Sequence, residues 1–215
     1  MNRIILSLDN LALKKVLAIA ELLSPYVAGF KFNDLLIESI DIIYATKCSG
    51  TFKSLIMADP KLYDIPNTMS NSYRKYLEAG ADIVTVHASA SWDAQDEYKD
   101  NLCGVTVLTS FTDNDLLFGN VNDTVKQLAK RCYDWGYGYL VCSPQDLDLI
   151  SDIKIKKICP GVRPEWYTTS DDQKRTMTPS EAISKGADYL VIGRPILESN
   201  DMISAVKQIN KEISV

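Results

Sequence analysis

The 215-residue sequence predicts an α/β fold, a single compact (β/α)₈ TIM barrel. Short apolar runs rich in β-branched residues alternate with longer segments of helical character, and this alternation occurs eight times. Several of the runs are continuously apolar, as expected for parallel strands that are buried on both faces. No low-complexity stretch or composition shift divides the chain, so we expect one domain over residues 1–215.

The strands are predicted at the apolar runs, which are, in chain order, Ile4–Leu8, Val27–Phe32, Ser54–Ala58, Ile83–His87, Gly104–Thr109, Tyr139–Cys142, Lys157–Cys159 and Tyr189–Ile192. Helices between and after them are predicted at Leu11–Leu23, Asn71–Ala79, Val121–Trp135, Pro179–Lys185 and Met202–Ile213. One of these helices has a clear start signal: Thr178 can cap it, Pro179 suits its first position, and Glu181 follows three residues after the cap.

A doubly wound open sheet is the main alternative fold. It normally has fewer strands and a glycine-rich turn after the first strand, whereas the turn here is Asp9-Asn10-Leu11. We therefore favour the barrel, although 215 residues is slightly fewer than the usual ~250. The active site of a barrel lies at the carboxyl ends of its strands, and the charged residues of this sequence fall there.

Composition and charge argue against several classes of protein. A net charge of −5 argues against nucleic-acid binding, but a few local cations could still form a pocket for a small anion. The five cysteines are scattered and His87 is the single histidine, which argues against a zinc site and for reduced thiols. The apolar run at the N-terminus is too short for a signal peptide or membrane span, so we expect a soluble, cytoplasmic protein.

The densest group of charges, Asp59, Lys61 and Asp64, follows the third predicted strand. Side chains two residues apart on an extended segment point the same way, so Asp59 and Lys61 should both face the ligand space. Asp64 lies beyond the strand, in a turn rich in Pro and Asn. A lysine between two carboxylates should stay protonated and act as a proton donor, not as a Schiff-base nucleophile. The alternative interpretation is a solvated ion pair at a strand end.

The segment from Asp59 to Thr68, DPKLYDIPNT, resembles the D-x-K-x-x-D-I-P-N-T signature of the orotidine 5′-phosphate decarboxylases. Tyr63 departs from the histidine that is common at that position, which has no chemical role in the family. The resemblance extends over nearly the whole chain. It implies an enzyme that decarboxylates orotidine 5′-monophosphate to uridine 5′-monophosphate, the last step of de novo pyrimidine biosynthesis, without a metal or cofactor.

The resemblance implies roles for the charged strand ends. Lys61 would protonate the C6 carbanion, and Asp59 would lie beside the substrate carboxylate and fix the lysine. Asp9 ends the first strand and Lys31 the second, and either alone is typical of a solvated charge. In the family the matching residues hold the ribose hydroxyls and extend the series of alternating charges around one barrel mouth.

A quaternary structure is implied as well. By resemblance, Asp64 and Thr68 belong to the partner subunit's site, so the active enzyme would be a two-fold homodimer with shared active sites. The segment Asp59–Thr68 therefore predicts a homodimer as well as a catalytic lysine.

The fifth predicted strand ends in two hydroxyl-bearing residues. By resemblance, Thr109 would hydrogen-bond the pyrimidine ring, with Ser110 as the alternative because the register is open by one residue. A hydroxyl that bonds nearby backbone is the ordinary interpretation at strand ends. The family pattern assigns no catalytic role to His87, which we expect to be a packing residue.

The phosphate site of this fold usually lies in the loops after strands seven and eight. Gly193 would let the backbone approach an oxygen closely, and Arg194 can bind phosphate bidentately. In the family a loop closes over the phosphate, with an arginine before it and a glutamine within it. Residues 165–177 match that lid loop, and Arg163 and Gln173 match those two positions.

Two other functions stay open. A metal-dependent sugar-phosphate decarboxylase or aldolase of the same barrel superfamily keeps the Asp-x-Lys-x-x-Asp skeleton but binds Mg²⁺ with further carboxylates. Lys31 at the second strand end and the segment Ile65–Thr68 favour the orotidine enzyme. A barrel that only binds a nucleotide monophosphate would not need a lysine flanked by carboxylates.

Overall fold

The computed structural model of this protein describes residues 2–48, 54–90, 92–94, 96–167 and 177–214. Parallel strands close into a barrel in the order β1-β2-β3-β4-β5-β6-β7-β8, and β8 pairs back with β1. The strands are β1 (Ile4–Ser7), β2 (Gly29–Phe32), β3 (Leu55–Leu62), β4 (Ile83–His87), β5 (Leu102–Val105), β6 (Tyr139–Val141), β7 (Lys156–Cys159) and β8 (Tyr189–Ile192). The predicted (β/α)₈ fold is confirmed.

Helices surround the barrel. They are α1 (Leu13–Leu23), α2 (Leu35–Glu38), α3 (Asp41–Cys48), α4 (Pro66–Glu78), α5 (Val121–Asp134), α6 (Pro179–Ser184), α7 (Arg194–Leu197) and α8 (Met202–Glu212). α1 illustrates why they pack, since Val16, Ile19, Ala20 and Leu23 recur at helical spacing and are buried. No helix in the described part of the chain is long and apolar enough to cross a membrane.

Two connections between strands are shorter than the pattern of alternating elements predicts. The chain between β6 and β7 contains only 3₁₀ turns, at Pro144–Asp146 and Asp148–Ile150. The described residues between β4 and β5 likewise form only 3₁₀ turns, at Ala88–Ala90 and Asp96–Asn101. These turns replace full helices, which explains how the barrel closes within 215 residues.

Strand side chains separate into two hydrophobic layers because successive residues point to opposite faces of the sheet. The inner layer fills the barrel and consists of Ile5, Met57, Ile83, Cys103, Ile158 and Val191. The outer layer lies under the helices and includes Phe30, Phe32, Val84 and Leu140. Burial on both faces agrees with the continuously apolar runs of the sequence.

The predicted bounds of the fifth strand are wrong. The apolar run predicted a strand over Gly104–Thr109, whereas β5 ends at Val105. Its neighbours set this limit, because Val105 pairs with the last residues of β4 and β6, His87 and Val141. Thr109 therefore lies in the loop after β5 and not at the strand end.

The third strand and the helix after it are longer than predicted. β3 was expected over Ser54–Ala58 but extends to Leu62, with a shift in its register with β4 after Ala58. α4 begins at Pro66 and not at Asn71, because proline is well suited to the first position of a helix. Thr68 consequently lies in the first turn of α4.

Candidate active site

A cavity of about 730 Å³ opens at the carboxyl ends of the strands, within the size range of small-molecule sites. The predicted site residues that line it are Asp9, Lys31, Asp59, Lys61, Thr109, Arg163, Gly193 and Arg194. Ser110, the alternative to Thr109, also lines it, so both interpretations of the pyrimidine contact stay open.

Two predicted site residues lie outside the cavity lining. Asp64 and Thr68 are not among the described residues that line the cavity. Asp64 is exposed, and one of its carboxylate oxygens accepts a hydrogen bond from the backbone N–H of Ile65 at 2.7 Å. Gln173 lies outside the described residues.

Charged side chains alternate in sign through the interior of the cavity. Lys31 Nζ lies 3.1 Å from Asp9 Oδ2 and 3.3 Å from Asp59 Oδ2. Lys61 Nζ donates a hydrogen bond to the same Asp59 oxygen at 2.8 Å. One carboxylate oxygen thus lies between two ammonium groups, which fixes both of them relative to each other.

The two lysines differ in their access to the cavity. The Lys31 side chain is 9% exposed, whereas that of Lys61 is 30% exposed. Burial lowers the pKa of Lys31, but the carboxylates of Asp59 and Asp9 raise it by more, so the pKa lies above its ordinary value of 10.5. Lys31 is therefore an enclosed, permanent positive charge, and Lys61 is the ammonium group open to a ligand.

Lys61 reaches Asp59 through an irregular stretch of β3. Its φ of +48° lies in the left-handed region, which is unusual for a residue other than glycine. The register between β3 and β4 shifts between Ala58 and Leu62. Regular alternation predicted the shared direction of Asp59 and Lys61, but the observed contact depends on this departure from a regular strand.

Hydrogen bonds from residues that the sequence analysis missed hold the carboxylates. Thr85 Oγ1 donates to Asp59 Oδ1 at 2.8 Å, and Ser7 Oγ donates to Asp9 Oδ2 at 2.5 Å. Asn33 Nδ2 donates to the backbone oxygen of Asp59 at 2.6 Å. Two-residue alternation was the available signal, since Ser7 precedes Asp9 by two positions.

His87 lies at the end of β4, beside the charged residues but not in ion-pair contact with them in the described structure. Its ring meets that of Tyr63 edge-on, with centroids 5.6 Å apart. Burial lowers the pKa of His87 below its ordinary 6.5, and the positive charge of Lys61 lowers it further, against an opposing effect of Asp59. The imidazole is therefore neutral at pH 7.

The loops after β7 and β8 bring two guanidinium groups to the cavity wall. Arg163 donates through Nη1 to the backbone oxygen of Val162 at 2.9 Å, and its guanidinium carbon lies 5.9 Å from the centre of the Tyr167 ring. The backbone N–H of Arg163 donates to Met177 O at 2.9 Å, which connects the chain just before segment 165–177 to the last residue of that segment. Arginine, glycine and backbone at such a wall suit an anion.

The carboxylates of Asp9 and Asp59 in the cavity are paired with lysines. In the described part of the chain, no group of three or more His, Cys, Asp or Glu side chains is placed to hold a metal ion. The cavity carboxylates of Asp9 and Asp59 instead form ion pairs with Lys31, and Asp59 also with Lys61.

Comparison with known proteins points to one family. Residues 2–209 match the orotidine 5′-phosphate decarboxylase / HUMPS family. An orotidine 5′-phosphate decarboxylase from Glaesserella parasuis is 32% identical over 232 residues, covering 99% of both chains. Another from Rhodopseudomonas palustris is 34% identical over 226 residues, covering 99% of this chain and 94% of the relative. The crystal structure of the enzyme of that name from Pyrococcus horikoshii OT3 matches with a TM-score of 0.81 and 27% identity over 99% of each chain.

Proposed function

Because this chain belongs to the orotidine 5′-phosphate decarboxylase / HUMPS family, we propose that it converts orotidine 5′-monophosphate to uridine 5′-monophosphate and CO₂. The observation that carries the proposal is the series of alternating charges Asp9, Lys31, Asp59 and Lys61 inside a cavity at the carboxyl ends of the strands. Relatives matched over nearly the full chain carry the name of this activity.

Lys61 is the proposed proton donor. Loss of CO₂ from C6 leaves a carbanion without an adjacent electron sink, so the protein must stabilise the charge electrostatically. The Lys61 ammonium group is the more exposed of the two that Asp59 holds, and it is already oriented before substrate binds. It would stabilise the developing charge and then transfer a proton to C6, without a metal ion or a cofactor.

Asp59 has two tasks in this proposal. It fixes Lys61 through the 2.8 Å hydrogen bond, and it lies beside the substrate carboxylate. Asp9 and Lys31, joined at 3.1 Å, would hold the ribose hydroxyls and keep the series of charges in place. Thr109 or Ser110 would hydrogen-bond the pyrimidine ring from the loop after β5.

The phosphate of the substrate would bind at the wall formed by Arg163, Gly193 and Arg194, with Gln173 contributed by the lid loop 165–177. These groups are remote from the reacting carbon. The binding energy of the phosphate would close the loop and organise the charged residues around the pyrimidine. This raises the rate only if the contacts between protein and substrate become stronger in the transition state.

A homodimer is part of the proposal. Asp64 and Thr68 belong to the family signature but do not line the cavity in the described structure of one chain. Tyr63 and Ile65, on either side of Asp64, are 67% and 66% exposed, which is typical of a surface covered by a partner. Asp64 and Thr68 would therefore complete the site of the second subunit.

Substitution of Lys61 tests the chemical step. Loss of orotidine 5′-monophosphate absorbance is measured for the unmodified protein, for Lys61→Ala and for Lys156→Ala. We expect Lys61→Ala to reduce kcat by about a thousandfold or more while still binding uridine 5′-monophosphate. Lys156→Ala, a lysine at the opposite end of the barrel beside Tyr139, should retain full activity.

Undiminished turnover of Lys61→Ala would refute the proton-donor role. Absence of turnover in the unmodified protein would refute the decarboxylase assignment. The metal-dependent alternative is tested by exhaustive EDTA treatment: activity that disappears and returns with Mg²⁺ contradicts the metal-free mechanism, and we expect activity to persist.

A further inference from the structure

We infer that Thr85 is a positioning residue for the reaction, because its hydroxyl connects the Asp59 carboxylate to the backbone of Lys61. The inference rests on the proposed function, since it concerns the geometry of the proposed proton donor. Thr85 lies on β4, is fully buried and is not among the described residues that line the cavity, so its influence on substrate would pass through its two partners.

The first contact sets the orientation of the carboxylate. Thr85 Oγ1 donates to Asp59 Oδ1 at 2.8 Å, while Lys61 and Lys31 both contact Oδ2, at 2.8 and 3.3 Å. A carboxylate held at only one oxygen can rotate about its terminal torsion. Because Thr85 holds the second oxygen, Oδ2 stays directed at both ammonium groups.

The second contact supports the unusual backbone of Lys61. At φ +48°, the Lys61 N–H donates to Thr85 Oγ1 at 3.0 Å. A residue in this region persists when surrounding contacts determine its conformation, and such residues cluster at functional sites. One hydroxyl thus accepts from the backbone of the proton donor and donates to the carboxylate that orients its ammonium group.

Threonine can do this because a hydroxyl both donates and accepts. Valine has nearly the same shape and suits a strand equally well, but it offers neither function. In Thr85→Val the Asp59 Oδ1 and the Lys61 N–H would each lose a buried hydrogen-bond partner. Lys61 would then sample positions away from the reacting carbon, although the substrate-binding groups at the cavity wall would be unchanged.

The measurement is steady-state decarboxylation of orotidine 5′-monophosphate, with kcat and KM determined separately. We expect Thr85→Val to lower kcat by about 10- to 100-fold, the effect of one hydrogen bond to a charged group, with KM within about twofold of the unmodified value. Inhibition by uridine 5′-monophosphate should be unchanged. Thr85→Ser keeps the hydroxyl and should restore most of kcat.

Thr106→Val is the matched control. Thr106 is 3% exposed, and its hydroxyl donates to the backbone oxygen of Val141 at 3.0 Å. The substitution therefore removes one partly buried hydrogen bond that involves neither Asp59 nor Lys61. Thr106→Val should lose some thermal stability, less than Thr85→Val because Val141 O keeps the Thr106 N–H as a donor, and only Thr85→Val should lose kcat. If Thr85→Val does not fold, Thr85→Ala and Thr85→Ser replace it, because both lose the methyl group and only alanine loses the hydroxyl.

Equal kcat for Thr85→Val and the unmodified enzyme overturns the inference, as does an equal loss of kcat in Thr106→Val or an effect confined to KM. The same holds if Thr85→Ser and Thr85→Ala are equally impaired. A complete absence of turnover in the unmodified protein contradicts the proposed function itself, and the inference falls with it.

Discussion

The Asp59 carboxylate is held at both oxygens, by the Thr85 hydroxyl on one and by two lysines on the other. Together with Asp9, these groups form a charge-balanced set of two carboxylates and two ammonium groups, which makes their burial tolerable. A substrate carboxylate placed beside Asp59 would add one negative charge to the set. Departure of neutral CO₂ would leave that charge on C6 as a carbanion, which Lys61 would stabilise and then protonate.

The pKa of His87 depends on two of these charges, those of Lys61 and Asp59. Since His87 is the only histidine, its imidazole signals in a proton NMR titration need no assignment. We expect a pKa below the ordinary 6.5, caused first by burial and then by Lys61. Lys61→Met removes the nearby positive charge and should raise the pKa, whereas Lys156→Ala should leave it unchanged. A pKa above 6.5 in the unmodified protein contradicts this account.

The same pKa shift has a consequence for stability. Below pH 6.5 the unfolded chain takes up a proton at His87 before the folded protein does, so this group lowers the free energy of unfolding as the pH falls through that window. Above pH 6.5 the imidazole is neutral in both states and has no such effect. In urea unfolding, His87→Gln should therefore lose less stability than the unmodified protein when the pH falls below 6.5.

Residues on one strand could be predicted to meet, but contacts between strands could not. Asp59 and Lys61 are two positions apart, so strand alternation predicted their shared direction, although it did not predict the left-handed backbone of Lys61. Thr85 lies 26 positions from Asp59, and its contact depends on the register between β3 and β4, which shifts at this point. Threonine is also common on buried strands, so nothing in the sequence around Thr85 indicated that it would hold Asp59 and Lys61.

The ends of helices and strands could be predicted where a local sequence signal sets them, and could not where neighbouring elements set them. The start of α6 was predicted correctly because a capping box is a local signal: Thr178 caps the Glu181 N–H, and Glu181 accepts from the Thr178 N–H at 3.0 Å. The end of β5 was predicted wrongly because it depends on where β4 and β6 end. Apolar composition continues past that point and could not mark it.

The capping box of α6 is expected to stabilise the chain at Met177, because Met177, which accepts from Arg163, immediately precedes Thr178. Thr178→Ala removes the hydroxyl that caps the helix and should lower the midpoint of thermal unfolding by about 2–4 °C. Thr178→Ser keeps the cap and should unfold close to the unmodified protein. Equal midpoints for alanine and serine would show that the cap contributes nothing.

The loss of thermal stability in Thr178→Ala should depend on pH, because the cap includes the carboxylate of Glu181. Hydrogen bonds from the Thr178 side chain and backbone lower the pKa of Glu181 below its ordinary 4.5. The stability that this contributes is present above the ordinary pKa and is lost as the pH falls through the lowered one. The difference in midpoint between Thr178→Ala and the unmodified protein should therefore shrink in acid.

At the scale of the whole molecule, the repeated alternation of elements predicted the barrel even though several bounds were wrong. Closure depends on the number and direction of the strands, and an error of a few residues at one end changes neither. Replacement of two crossover helices by 3₁₀ turns could not be predicted, because short polar segments between strands suit either structure. The carboxyl-end location of the cavity follows from the fold alone.

The proposed dimer makes a prediction about mixtures of inactive variants. If Asp64 completes the partner's site, a heterodimer of Lys61→Ala and Asp64→Ala has one site that lacks both residues and one site that is intact. After unfolding and refolding together, half of the dimers are heterodimers, so the mixture should recover about a quarter of the activity of the unmodified enzyme. Each variant alone should be nearly inactive.

A mixture of Lys61→Ala and Asp59→Ala is the matched control. Both side chains line the same cavity of one chain and are joined at 2.8 Å, so no arrangement of these two subunits gives an intact site and no activity should return. Subunit exchange is checked by native mass spectrometry of differently tagged chains. If heterodimers of Lys61→Ala and Asp64→Ala form and remain inactive, Asp64 serves its own chain or no site at all. If activity returns in the first mixture and not in the control, Asp64 acts in the active site of the partner subunit. A residue that lies outside the cavity of its own chain can restore activity only at the site of the other chain.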